Sequence, residues 1–121
     1  MTNTTNGTLP SLPFVHMKNK ILGKKYDLSV VVVGEKKIHA LNKFYRKVDS
    51  PTDVLSFSID THSGEIFICQ KIAKKKMKKF DRDYKNFLAF LVIHSMVHLL
   101  GFDHGNKMEK EEVKYRKYFT I

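Results

Sequence analysis

The stretch 87–100 constrains this chain more than any other: its 14 residues include no Asp, Glu, Lys or Arg, yet two histidines, His94 and His98, lie inside it. A run this apolar has to be buried, but it falls short of the roughly 20 residues a membrane-spanning helix needs. Residues 84–100 therefore read as a helix apolar on nearly every side, the kind that fills the centre of a domain. On such a helix His94 and His98 are one turn apart on the same face, the spacing a single metal ion requires. Gly101 can take positive φ and end the helix, which turns His104 back toward the other two. Three neutral imidazoles with a fourth position left to water is the arrangement of catalytic zinc, because the open position lets the ion acidify water or bind a substrate oxygen.

The rest of the chain supplies walls for that helix. Residues 10–25 mix Leu12, Phe14, Val15, Met17, Ile21 and Leu22 with basic residues at helical spacing, and Gly23 is a stop. Residues 27–33 are dense in β-branched side chains and read as a buried strand closing at Gly34. A short helix is expected over 36–45 with Ile38, Leu41, Phe44 and Tyr45 facing inward. Two strands, 54–59 and 65–69, make a hairpin through 60–64. A basic helix follows over 70–80, and 107–119 gives a last amphipathic helix through Met108, Val113, Tyr115 and Tyr118. This order predicts an α+β domain with a small three- or four-stranded sheet, about five helices and the histidine-bearing helix at its centre.

At 121 residues and 42% hydrophobic content, the chain has material for one core, so residues 1–121 read as a single domain with a flexible terminus over 1–8. The lone cysteine, Cys69, reads as a core residue and cannot form an intrachain disulfide. No charged-then-apolar leader opens the chain, and a cytoplasmic location is expected. The formal net charge of +10 suggests a polyanionic partner, RNA or DNA. Much of the excess falls in residues 71–85, where eight cations face only Asp81 and Asp83. That run reads equally as a phosphate-tracking surface and as a solvated helix face.

The spacing of His94, His98, Gly101 and His104 is that of the metalloprotease pattern H-E-x-x-H-x-x-G-x-x-H, but Ser95 stands where that pattern needs a glutamate base. A hydroxyl does not accept a proton near neutral pH as a carboxylate does, which disfavours peptide hydrolysis. The same residues resemble the YbeY family of metal-dependent endoribonucleases, which act in ribosomal RNA maturation. Its H-G-x-x-H-L-x-G-Y-D-H signature is met by His94, His98, Leu99, Gly101, Asp103 and His104. Its L-N-x-x-Y-R block is met by Leu41, Asn42, Tyr45 and Arg46, and its P-T-D-V-L-S-F block by residues 51–57. Gly64, Glu65 and Ile66 match a weaker G-D-I block. Ser95, Phe102 and Glu65 depart from the family's glycine, tyrosine and aspartate, and the extra strand with which members commonly begin is not found in residues 1–10.

The resemblance implies one zinc ion held by His94, His98 and His104, with Arg46 as the catalytic, phosphate-binding residue. A guanidinium suits that role because it holds a phosphate through two parallel hydrogen bonds. Asp53 and Asp103 either orient a ligand imidazole or cap a turn. Ser56 reads as a buried strand hydroxyl or a cleft residue, and His16, His39 and His62 are not expected to be ligands. The implied function is a single-strand-specific endoribonuclease acting in 16S rRNA 3′-end maturation and ribosome quality control. Its partners would be ribosomal or single-stranded RNA and ribosomal or assembly proteins, with no membrane. The rival is a noncatalytic ribosome-assembly factor that binds RNA and proteins around a structural metal.

Overall fold

The computed structural model describes residues 2–3 and 9–121, so the flexible terminus expected over 1–8 falls, apart from Thr2 and Asn3, outside the described residues. The elements are β1 (Thr2–Asn3), α1 (Phe14–Ile21), β2 (Asp27–Val32), α2 (Glu35–Arg46), β3 (Val54–Asp60), β4 (Ser63–Ile68), α3 (Gln70–Lys76), a 3₁₀ turn (Met77–Phe80), α4 (Tyr84–Leu99) and α5 (Asn106–Phe119). The fold is α+β, with three strands of six or seven residues and a two-residue fourth. The sheet order is β1-β2-β4-β3. β3 and β4 form the expected antiparallel hairpin, with Leu55 opposite Phe67, while β2 runs parallel to β4, with Val30 opposite Ile66. The missing first strand is present after all as β1, which pairs in parallel with Val31 and Val32.

Strand alternation sends successive side chains to opposite faces, and the two faces build different cores. Val30, Ile66 and Ile68 face α4, where they pack with Leu88, Val92, Ile93, Met96 and Val97, with Met17 and Ile21 of α1 and with Met108 of α5. Leu55 and Val33 face the other way and pack with Ile38 of α2, Ile72 of α3 and Cys69, which is the expected core residue. Helix α4 is the centre of the first of these cores, with nine of its 16 residues buried. Asp83 caps its start by accepting a hydrogen bond from the Asn86 backbone N–H at 2.8 Å, and Gly101 follows its end at φ 106°. Among the described residues no helix is long and apolar enough to cross a membrane.

Two local expectations need correction. The basic segment 70–80 is a seven-residue α-helix that tightens into a 3₁₀ turn at Met77. Like charges four residues apart, Lys74 with Lys78 and Lys75 with Lys79, oppose continuing the regular helix there. Phe44 and Tyr45 do not face inward: they are 70% and 59% exposed. The inner face of α2 is made by Ile38 and Asn42, whose side-chain amide donates to the Ser50 carbonyl at 2.9 Å and ties down the loop after the helix.

Gly64 on β4 is required by close approach. A Cβ there would lie 2.5 Å from the Tyr26 Oη, 3.0 Å from Leu99 Cδ2 and 3.1 Å from the Phe57 carbonyl oxygen. The Tyr26 hydroxyl is itself buried and, among the described residues, has no hydrogen-bond partner; burial, with a smaller contribution from Asp60, raises its pKa above the usual 10. Gly64→Ala is therefore expected to lower stability by about 1–3 kcal/mol. Tyr26→Phe, which removes an unsatisfied hydroxyl, is expected to be neutral or stabilising by about 1 kcal/mol and to relieve part of the Gly64→Ala defect. Urea denaturation of the two single variants and the double variant checks this; additive effects in the double variant would contradict the shared contact.

Candidate functional site

His94 and His98 leave the same face of α4, and the chain reversal through Gly101 and Gly105, both at positive φ, returns His104 to them. The His104 ring centroid lies 5.4 Å from that of His94 and 5.9 Å from that of His98, with the ring planes within 26° and 21° of parallel. All three histidines line one cavity of about 410 Å³ between α4, the start of β3 and the beginning of α5. Among the described residues, no group of three or more His, Cys, Asp and Glu side chains is placed to hold a metal ion.

Of the two roles open to Asp53 and Asp103, orienting an imidazole falls to other groups. The Nδ1 of His94 lies 2.9 Å from Oε1 of Glu112, and the Nδ1 of His98 lies 3.1 Å from the backbone carbonyl of Phe102. Neither Asp53 nor Asp103 takes that role. Asp53 is buried and accepts from the Val54 backbone N–H at 2.8 Å and from the Thr52 hydroxyl at 3.2 Å, with Lys76 Nζ at 3.7 Å; it organises the entry to β3, while Asp103 is exposed. A carbonyl can only accept, so the His98 Nδ1 carries the proton and its Nε2 keeps a lone pair when the ring is neutral. Burial lowers the His98 pKa below the ordinary 6.5, and the nearby Arg46, His104 and His94 charges push the same way against the Phe102 bond.

Glu112 is the site residue that sequence reasoning missed. It is a buried carboxylate, and the Arg116 guanidinium lies 3.7 Å from the same Oε1 that meets His94 and 3.1 Å from Glu109. The signal was present: Met108, Glu112, Tyr115 and Phe119 recur at helical spacing, which puts an acid inside the apolar stripe of α5. Arg46 lines the same cavity as the histidines although it comes from the far end of α2, and Ser56 lines it too instead of being a purely internal hydroxyl. Ser95 is buried in the cavity wall beside His94. The Phe102 ring, where a tyrosine was expected, packs against the main core. The remaining histidines stand elsewhere: His39 pairs with Asp49 at 2.8 Å, His16 packs on Tyr118 and Phe119, and His62 is exposed on the hairpin turn.

Comparison with known proteins matches residues 10–119 to the family described as Endoribonuclease YbeY. A protein of that name from Finegoldia magna is 40% identical over 92 residues, covering 70% of this chain and 60% of its own length. Its namesake from Aliarcobacter butzleri is 34% identical, covering 96% of this chain and 89% of its own length. The chain thus spans less than two thirds of the Finegoldia relative and nearly all of the Aliarcobacter one. A solution structure of a Thermotoga maritima protein superposes with a TM-score of 0.61 at 30% identity, covering 84% of this chain and 75% of that one.

Because the Glu112 carboxylate fixes the His94 ring, Glu112→Ala is expected to free it, whereas Glu112→Gln keeps an acceptor and holds it. Nitrogen-15 spectra of the imidazoles check this through the His94 tautomer, which becomes mixed in the alanine variant alone. The alanine variant also leaves Arg116 without its buried partner, and a loss of about 3 kcal/mol in stability is expected.

Proposed function

The chain belongs to the YbeY family, and from that premise we propose that it is a metal-dependent endoribonuclease cutting single-stranded RNA, with ribosomal RNA as its physiological substrate and 16S 3′-end maturation and ribosome quality control as its setting. The observation that carries the reading is the pairing of both helix histidines through Nδ1, one to Glu112 and one to the Phe102 carbonyl. That pairing puts the proton on Nδ1 and leaves the Nε2 lone pair free, and acceptors behind ligand imidazoles are the ordinary support of a metal site. In residue type, and in lining one cavity, His94, His98 and His104 are the donors that would take one zinc ion, and the depressed pKa of His98 supports the neutral ring such binding needs. When bound, the ion supplies a Lewis acid and lowers the pKa of a water molecule.

The chain's own residues do the rest. Arg46 brings a fixed positive charge to the cavity and binds the scissile phosphate, stabilising the charge that develops on its oxygens. Ser56 and Thr52 offer hydroxyls on the β3 side, and the buried wall around Ser95 and Leu91 keeps the cavity narrow. The basic segment from α3 through the 3₁₀ turn holds the RNA backbone away from the cut. Lys76 is engaged with Asp53, Lys71 with Glu35 and Lys74 with the ring of Tyr84. Lys75, Lys78 and Lys79 are exposed and, among the described residues, have no ion-pair partner, so they are the cations available to phosphates.

Protein purified without chelator is expected to carry about one zinc ion per chain, and His94→Ala, His98→Ala and His104→Ala each to lower the affinity sharply. Metal analysis combined with a single-stranded RNA cleavage assay checks this. Arg46→Ala is expected to keep fold and metal while cleavage falls by about 10²-fold or more. RNA binding that survives loss of the histidines, with no metal-dependent cleavage in the wild type, would instead identify a noncatalytic assembly factor. Lys75→Glu, Lys78→Glu and Lys79→Glu together are expected to flatten the salt dependence of binding by about 0.7 in log–log slope per lost phosphate contact, equally for every sequence. An unchanged slope would return the lysine run to a solvated face.

A further inference from the structure

Two aromatic rings on the last turn of α2 are exposed where an amphipathic helix would normally bury them, Phe44 at 70% and Tyr45 at 59%. They are not loose. The Tyr45 ring is held between Phe44, edge-on at 4.8 Å, and Phe57, tilted at 4.9 Å, and Phe57 rests in turn on Phe67 at 6.0 Å. This row starts in the core on the α2 side of the sheet and ends in water beside β3, the edge strand whose opposite face borders the histidine cavity. Cations surround it: Lys43, Arg46 and Lys47 occupy the same turn, with Lys47 Nζ 6.0 Å from the Phe44 ring centre. Of the acids nearby, Asp49 pairs with His39 at 2.8 Å and with Lys43 at 4.0 Å, and Glu65 stands opposite Phe57 across the hairpin, which leaves Arg46 and Lys47 as the cations beside the rings. Tyr45 is the immediate neighbour of Arg46, which reaches the cavity.

We propose that Phe44 and Tyr45 form a stacking platform for nucleobases of single-stranded RNA, next to the nucleotide whose phosphate Arg46 binds; the substrate class rests on the nuclease reading above. Rigid rings interleaved with cations match a strand that alternates flat apolar bases with phosphates. Only an unpaired strand presents a free base face, so the platform also selects single strands against duplex. Stacking is blind to base identity, and it adds affinity without sequence preference.

Binding of two short 2′-O-methyl oligomers, one with bases and one abasic throughout, separates stacking from phosphate contact. Wild type is expected to bind the base-bearing oligomer about tenfold more tightly than the abasic one. Phe44→Leu/Tyr45→Leu, which keeps apolar bulk but not the rings, is expected to bind both alike, with folding verified by circular dichroism; Tyr45→Trp is expected to keep the preference. Equal affinities in wild type, or a preference that persists in the double variant, would overturn the platform. So would self-association of the wild type that disappears in the double variant, which would assign the rings to a second copy of the chain. Cleavage of an all-ribose oligomer by the same preparations reports on the nuclease separately. Base preference without cleavage overturns the nuclease alone, and cleavage without base preference overturns the platform alone.

Discussion

Helix α4 is buried along most of its length, and the two imidazoles it carries sit half-buried at the edge of that buried surface, each with one ring nitrogen turned to an acceptor inside the protein. The sheet covers one side of the helix, α1 and α5 cover others, and the gap left for His94 and His98 is closed by the loop bearing His104. A ring nitrogen left without a partner costs more the further it is drawn from water. The acceptors at Glu112 and Phe102 remove that cost, and in doing so they set how each ring presents its second nitrogen. Fold stability and site chemistry thus hang on the same two hydrogen bonds.

The elements around α4 divide the work by the face of the sheet they occupy. Helix α5 provides Glu112 and locks it with Arg116, whose guanidinium also lies over the Phe90 ring at 5.1 Å and so joins α5 to α4. Helix α2 packs on the opposite face, but its final turn delivers Arg46 to the cavity and leaves Tyr45 against the edge strand. The Asp53–Lys76 contact links the entry to β3 with the basic segment. Parts of the chain distant in sequence meet at one rim because β3 is the last strand of its sheet.

Much of this was legible in the residues themselves. The uncharged run with His94 and His98 one turn apart required a central helix, and the β-branched run ahead of Gly34 required a strand; both formed within a residue of their expected limits. What stayed hidden were tertiary facts. Phe44 and Tyr45 have the spacing of an inward face, and nothing local says that the sheet ends beneath them. Asp103 lies inside the histidine motif and Asp53 inside the block over residues 51–57, while Glu112 lies in neither, but Asp53 is consumed by the backbone of its own strand entry. Glu112, 18 residues from His94, looked like one more charge on a helix rich in them until packing placed it inside. The two-residue β1 is too short to leave a pattern in the sequence.

The two imidazole supports differ in kind, and the difference bears on how the gene can drift. His94 depends on a side chain, so a single codon change at position 112 removes its acceptor. His98 depends on a main-chain oxygen, which every amino acid supplies. Position 102 is therefore shielded from mutation at the level of this bond, and a change of side chain there acts through how the ring fills the core. The orientation of one histidine of the pair is genetically fragile and that of the other robust, although both sit on the same helix and line the same cavity.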